Sequence, residues 1–187
     1  VSTKLYAKWG SCIFSNIALS EQRHFDALKV LLNRYGLVDP AANNAVGVFT
    51  DSGLQTLYGD LVAQGEVSPS AALRVGATIE DLDIHDLDRA LAASDNDDFR
   101  IVYQNLQEGS RNHMRAFVGQ LEVLGETYVA QYISAGALAE ILASPRAAGM
   151  GNRGGGNGPR GVGRGNGTCP LGNTPTPNPA AGSRGRR

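Results

Sequence analysis

The chain has 187 residues and a formal net charge of −1, enough for one ordinary domain and too short for two. The average hides an acidic body and a basic tail: residues 1–145 carry 10 basic and 18 acidic side chains, whereas 146–187 carry 7 arginines and no acid. Two cysteines, Cys12 and Cys169, exclude a disulfide framework and a cysteine-built zinc site, and no run of 18 apolar residues could span a membrane.

Thr3 to Trp9 holds helix-forming residues but opens without a cap and stops at Gly10, so it reads as the last two turns of a helix begun upstream. From Ile13 to Tyr35 apolar residues recur at helical spacing, and Gly36 ends the run. Residues 37–50, with Asp39-Pro40, Asn43-Asn44 and Gly47, read as a loop. Asp51 then caps a short connecting helix carrying Leu54, Leu57, Tyr58 and Leu61. Ser68-Pro69 supplies a cap followed by a proline in the first turn, opening a helix through Leu73, Ile79, Leu87 and Leu91. Asp95-Asn96-Asp97 breaks the pattern, Phe99 to Leu124 forms another long helix closed by Gly125, and Ser134 to Leu142 a short last one. No segment alternates like a strand between hairpin signals, so the expected class is all-α, with a helical bundle as the economical architecture. Residues 146–187 contain 13 of the 24 glycines and almost no large apolar side chain; the expected organisation is a bundle over 1–145 and a disordered basic tail over 146–187.

Polar residues on the inward stripes are the candidates for chemistry, because a buried polar group needs a partner or a purpose. Ile17, Glu21, His24, Leu28 and Leu31 share a face, which makes Glu21 and His24 neighbours on it. Glu80 and Asp83 are neighbours in the same way after Ile79, and His113 lies mid-stripe between Leu106 and Phe117. His85 turns away and reads as solvated. Taken singly, Glu21–His24 reads as a surface pair and His113 as a hydrogen-bonded core histidine; jointly they read as a metal site, since imidazole with carboxylate suits iron, manganese or zinc better than copper or calcium. Tyr103, three turns before His113, reads as core packing that can reach the same face, and Arg23, Arg111 and Asn112 point sideways into supporting or salt-bridge roles.

Four blocks carry a resemblance: Ser15-Asn16-Ile17-Ala18 with Ser20-Glu21-Gln22-Arg23-His24, Gly47-Val48-Phe49-Thr50, Leu73 to Ile84, and Gly109 to Phe117. In this order they resemble an uncharacterised prokaryotic ferritin-like domain family over about residues 1–135. The resemblance implies a ferritin-like four-helix bundle with its first helix incomplete, whose core holds two metal ions between two single glutamates and two Glu-x-x-His pairs. It assigns metal-ligand roles to Glu21, His24, Glu80 and His113, with Asp83 as an extra ligand or an acceptor that orients an imidazole. Glu21 would be the bridging carboxylate. Position 110 is Ser where the full pattern has Glu, closer to manganese catalase than to rubrerythrin, and the first-helix Glu of the family would lie upstream of Val1. The cofactor implied is iron or manganese, dinuclear if that Glu is present, with peroxide or dioxygen as the small oxidant.

Two functions follow as expectations: a metal-dependent oxidoreductase of the peroxidase, oxidase or catalase kind, or a non-enzymatic structural or interaction bundle, envelope-associated, with a degenerate site and a linker or polyanion-binding tail. The exposed groove of an incomplete bundle should drive dimerisation or cost stability. The tail has Gly-Arg repeats but no aromatic residue to stack on bases, so nucleic acid is not the expected partner. Val1-Ser2-Thr3-Lys4 is not a signal-peptide pattern; the extracytoplasmic expectation comes from the resemblance. Cys169 reads as a lone exposed thiol or, on export, as a partner to Cys12.

Overall fold

The computed structural model describes residues 1–145, all of whose regular elements are helices. They are α1 (Ser2–Trp9), α2 (Cys12–Arg34), α3 (Ser52–Gly65), α4 (Pro69–Ala93), α5 (Asp97–Val123) and α6 (Ala135–Ala143). The expectations for the tail, for its polyanion contacts and for Cys169 fall outside the described residues.

Local chemistry sets the boundaries. Gly10 ends α1 in the left-handed conformation at φ 65°, and its N–H donates to the Tyr6 carbonyl, so the chain turns directly into α2. Asp51, Ser68 and Ser134 each accept a hydrogen bond from the backbone N–H three residues on, at the start of α3, α4 and α6. The sequence reading starts the last long helix at Phe99. The structure starts α5 at Asp97, because Asn96 Oδ1 accepts from the N–H groups of Asp98 and Phe99 and turns the expected break into a cap.

The three long helices form a layer with α5 in the middle. Arg74 bonds Glu126, Glu80 faces His113, Asp88 accepts from Gln107, and Arg100 donates to the Leu91 carbonyl. Rising numbers on α4 meet falling numbers on α5, so the two are antiparallel. Phe14 against Phe117, Glu21 against His113 and Arg34 against Asp98 give the same relation between α2 and α5. The core includes Leu5, Phe14, Leu73, Ile84, Met114, Phe117 and Leu121, all at most 1% exposed. Trp9 Nε1 donates to the Gly65 carbonyl and joins α1 to the end of α3.

Asp81 is fully buried and holds the segment before α6 in place. It accepts from the Tyr128 hydroxyl at 2.8 Å and from the backbone N–H groups of Gln131, Tyr132 and Ile133 at 2.6, 3.2 and 2.9 Å. Its neighbour Glu80 faces the other way, toward α2. One turn of α4 thus carries a structural carboxylate on one side and a candidate ligand on the other.

Candidate metal centre

Glu21 and His24 on α2, Glu80 on α4 and His113 on α5 meet where the three long helices approach one another. His113 Nδ1 lies 2.9 Å from Glu21 Oε1 and 3.4 Å from Glu80 Oε1, and His24 Nδ1 lies 3.2 Å from Glu21 Oε2. The two imidazole rings are 5.7 Å apart between centroids. Glu21, Glu80 and His113 each offer one ligand atom within 4.8 Å of the others.

His24 Nδ1 and Glu21 Oε2 form a hydrogen bond, but the short distances from His113 are not hydrogen bonds. Glu21 Oε1, Glu80 Oε2 and His113 Nδ1 are buried and have no hydrogen-bond partner, although His113 Nδ1 and Glu21 Oε1 are close, because the directional requirement is not met. Glu80 is sealed, with a side chain 3% exposed, whereas that of Glu21 is 40% exposed and its accessible surface opens into a cleft.

The electrostatics follow from crowding. Burial pushes the Glu80 carboxyl up to about 7, against the pull of His113. Burial also raises Glu21, but the close approach and charge of His113 and His24 outweigh it and hold that carboxyl at about 2. Burial lowers His113, and pairing with Glu21 and Glu80 reverses this, to about 9. Asp83 is pushed up to about 7 by burial and then by the charge of Glu21.

The structure therefore brings together Glu21, Glu80 and His113, with His24 joined through the far oxygen of Glu21. Asp83 lies outside the converging set, one turn from Glu80 on the wall of a cleft of about 820 Å³. Tyr103 and Ser110 line the same cleft. His85 faces the Tyr132 ring, away from the cluster. Arg111 pairs with Glu108 on its own helix, and Asn112 Oδ1 accepts from Arg115. Gly109 escapes the sequence reading: a Cβ there would meet Cε1 and Nε2 of His24 at 2.5 Å, so its missing side chain is the space the ring occupies. A glycine inside a long helix, four residues before His113, is the signal that could have found it.

Residues 1–145 match the family described as Uncharacterized protein domain (DUF2202). The chain belongs to that family. The DUF2202 chain is 51% identical over 146 residues to Uncharacterized protein MJ0754 of Methanocaldococcus jannaschii, covering 78% of this chain and 79% of the relative. It is also similar to the crystal structure of hypothetical protein MJ0754 from Methanococcus jannaschii DSM 2661, with a TM-score of 0.77, 49% identity, and coverage of 78% of this chain and 83% of that one.

Proposed function

We propose that this DUF2202 domain is a ferritin-like metal protein that holds iron or manganese between Glu21, Glu80 and His113, with His24 as a flanking ligand, and handles peroxide or dioxygen. The observation that supports it is that Glu21, Glu80 and His113 each offer a ligand atom within 4.8 Å of the others and each carry a buried side-chain atom with no hydrogen-bond partner. Each such atom costs about 1–3 kcal/mol when left unpaired, and a cation between them removes that cost for all three. The donor set of two carboxylates and an imidazole suits iron, manganese or zinc. A redox-active ion there would supply one-electron exchange with a small oxidant.

The chain's own residues have defined parts in this reading. Glu21 faces His113 with one oxygen and His24 with the other, the placement of a bridging carboxylate. Glu80, held protonated up to about 7 by burial, would have to give up that proton to serve as a ligand. Asp83 holds a proton at the cleft wall, one turn from Glu80. Among the described residues the converging set suffices for one ion, and a second requires a further carboxylate.

The competing reading is a structural bundle in which protonated His113 pairs both glutamates, favoured by the rise of His113 to about 9. Elemental analysis of the full chain purified without chelator separates the two, comparing wild type with Glu21→Ala and His113→Ala at matched helicity by circular dichroism. The metal reading expects about one equivalent or more of iron or manganese, lost at least about tenfold in both variants. A metal-free wild type, with both variants folded, leaves the structural bundle.

A further inference from the structure

Cys12 opens α2 just after the turn that ends α1, and it stays half-buried while Ile13 and Phe14 beside it turn into the core. It is disulfide-bonded, and among the described residues no cysteine is free. The sequence holds one other cysteine, Cys169. The packing of the bundle decides whether that residue can arrive. Phe14 stacks on Phe117, and two residues back along α5 Arg115 Nε donates to the carbonyl of Ile141 in the last turn of α6. The start of α2 and the end of α6 therefore meet the same stretch of α5. Ser144 closes α6, and a flexible glycine-rich chain of about 25 residues, the separation from there to Cys169, spans about 25–30 Å on average. That reach covers the end of one small bundle.

We propose that Cys12 and Cys169 form an intramolecular disulfide that clasps the basic C-terminal segment to the bundle at the start of α2, and that reduction releases it. Cys12 of a second copy is the weaker partner: a short flexible tether presents its own cysteine at an effective concentration in the mM range, far above that of another chain in solution. The bond divides the arginines of residues 146–187. Arg146, Arg153, Arg160 and Arg164 fall inside the closed ring, and Arg184, Arg186 and Arg187 beyond it. The redox state of one bond thus sets how far most of that positive charge reaches from a body with 18 acids and 10 bases. With a small disulfide such as oxidised glutathione as the oxidant, the thiolate of one cysteine attacks a glutathione sulfur and one glutathione leaves as thiolate. The thiolate of the other then attacks the protein sulfur of the mixed disulfide and expels the second. Two electrons and the two thiol protons pass to glutathione. The inference goes beyond the metal reading and does not depend on it, because Cys12 lies outside the converging set of Glu21, Glu80 and His113.

Non-reducing peptide mapping of the full chain, equilibrated with oxidised glutathione and quenched with N-ethylmaleimide, tests this. Trypsin leaves Cys12 in residues 9–23 and Cys169 in residues 165–184. The expected result is one cross-linked species joining these two peptides, separated by dithiothreitol, from a protein that runs as a monomer on a non-reducing gel. Cys169→Ser should abolish the species and leave Cys12 carrying N-ethylmaleimide or a single glutathione. Reduction of the wild type should lower its melting temperature by about 3–7 °C, because closing the ring across the unfolded chain costs more entropy than closing only the segment between α6 and Cys12 in the folded one. Cys169→Ser should melt like the reduced wild type with or without dithiothreitol. N-ethylmaleimide or glutathione on both cysteines of the treated wild type, a covalent dimer joined through either cysteine, or one melting temperature for the oxidised and reduced forms would each overturn the clasp.

Discussion

Gly109 sets how closely α2 approaches α5 at the cluster, because the His24 ring fills the space its side chain would take. Gly109→Ala should displace His24 from Glu21, lowering manganese affinity about 10–100-fold, the usual loss when a supporting residue of a metal site is disturbed. The overpacking should also cost about 1–3 kcal/mol in a urea melt. A variant that binds manganese like wild type would remove His24 from the site. Asp81 shows the same dependence on a distant partner. Asp81→Asn substitutes an amide donor where four donors already converge, and a loss of about 3 kcal/mol or more is expected from the urea midpoint. That Glu21, His24, Glu80 and His113 share inward faces was legible from helical spacing, while their grouping as ligands came from the resemblance. Gly109 and Asp81 were not, since the role of each is defined by what lies across from it. Asp83 falls between: spacing placed it beside Glu80, and only the packing shows it on the cleft wall rather than among the converging atoms.

At the scale of elements, the caps made the helices readable. Asp51, Ser68 and Ser134 carry side-chain oxygens where an N-terminus needs an acceptor, and the structure uses all three. Asn96 misled the reading because the same residue type breaks one helix and caps the next. That α5 lies between α2 and α4 could not be read from any one segment, since each stripe is apolar without naming its neighbour. Gly76 shows how that arrangement is fixed. In the sequence it looks like a weak point in α4, yet the Phe117 ring occupies the place of a side chain there. Gly76→Ala raises helix propensity by about 1 kcal/mol and should still destabilise the protein, by about 1–3 kcal/mol net, because backbone on one side and the ring on the other leave little room. Thermal unfolding decides the sign, and a stabilised variant would show that Phe117 can move aside.

For the molecule as a whole, the cluster makes stability depend on pH and, on the metal reading, on metal occupancy as well. Glu80 holds its proton to about 7 against an ordinary 4.5, and His113 to about 9 against 6.5. Between each pair of values the folded chain binds more protons than the unfolded one, so stability falls as pH rises through those windows. Glu21, held at about 2 against 4.5, works in the other direction, and its contribution is lost as pH falls through that range. The metal-free protein should therefore melt at a lower temperature near pH 9 than near pH 6. If the metal reading holds, bound manganese would displace the His113 proton and abolish that fall, with proton release on loading that is larger at pH 7 than at pH 9. Calorimetry of both forms at the two pH values checks this, and the same decline with and without metal would place His113 outside the ligand set.

The hydrogen bond from Trp9 to the Gly65 carbonyl has a practical consequence. Trp9 is the chain's single tryptophan, so every photon of indole emission reports the junction between α1 and the end of α3. Release of α1 would expose the ring to water and shift that emission to the red, with no label attached.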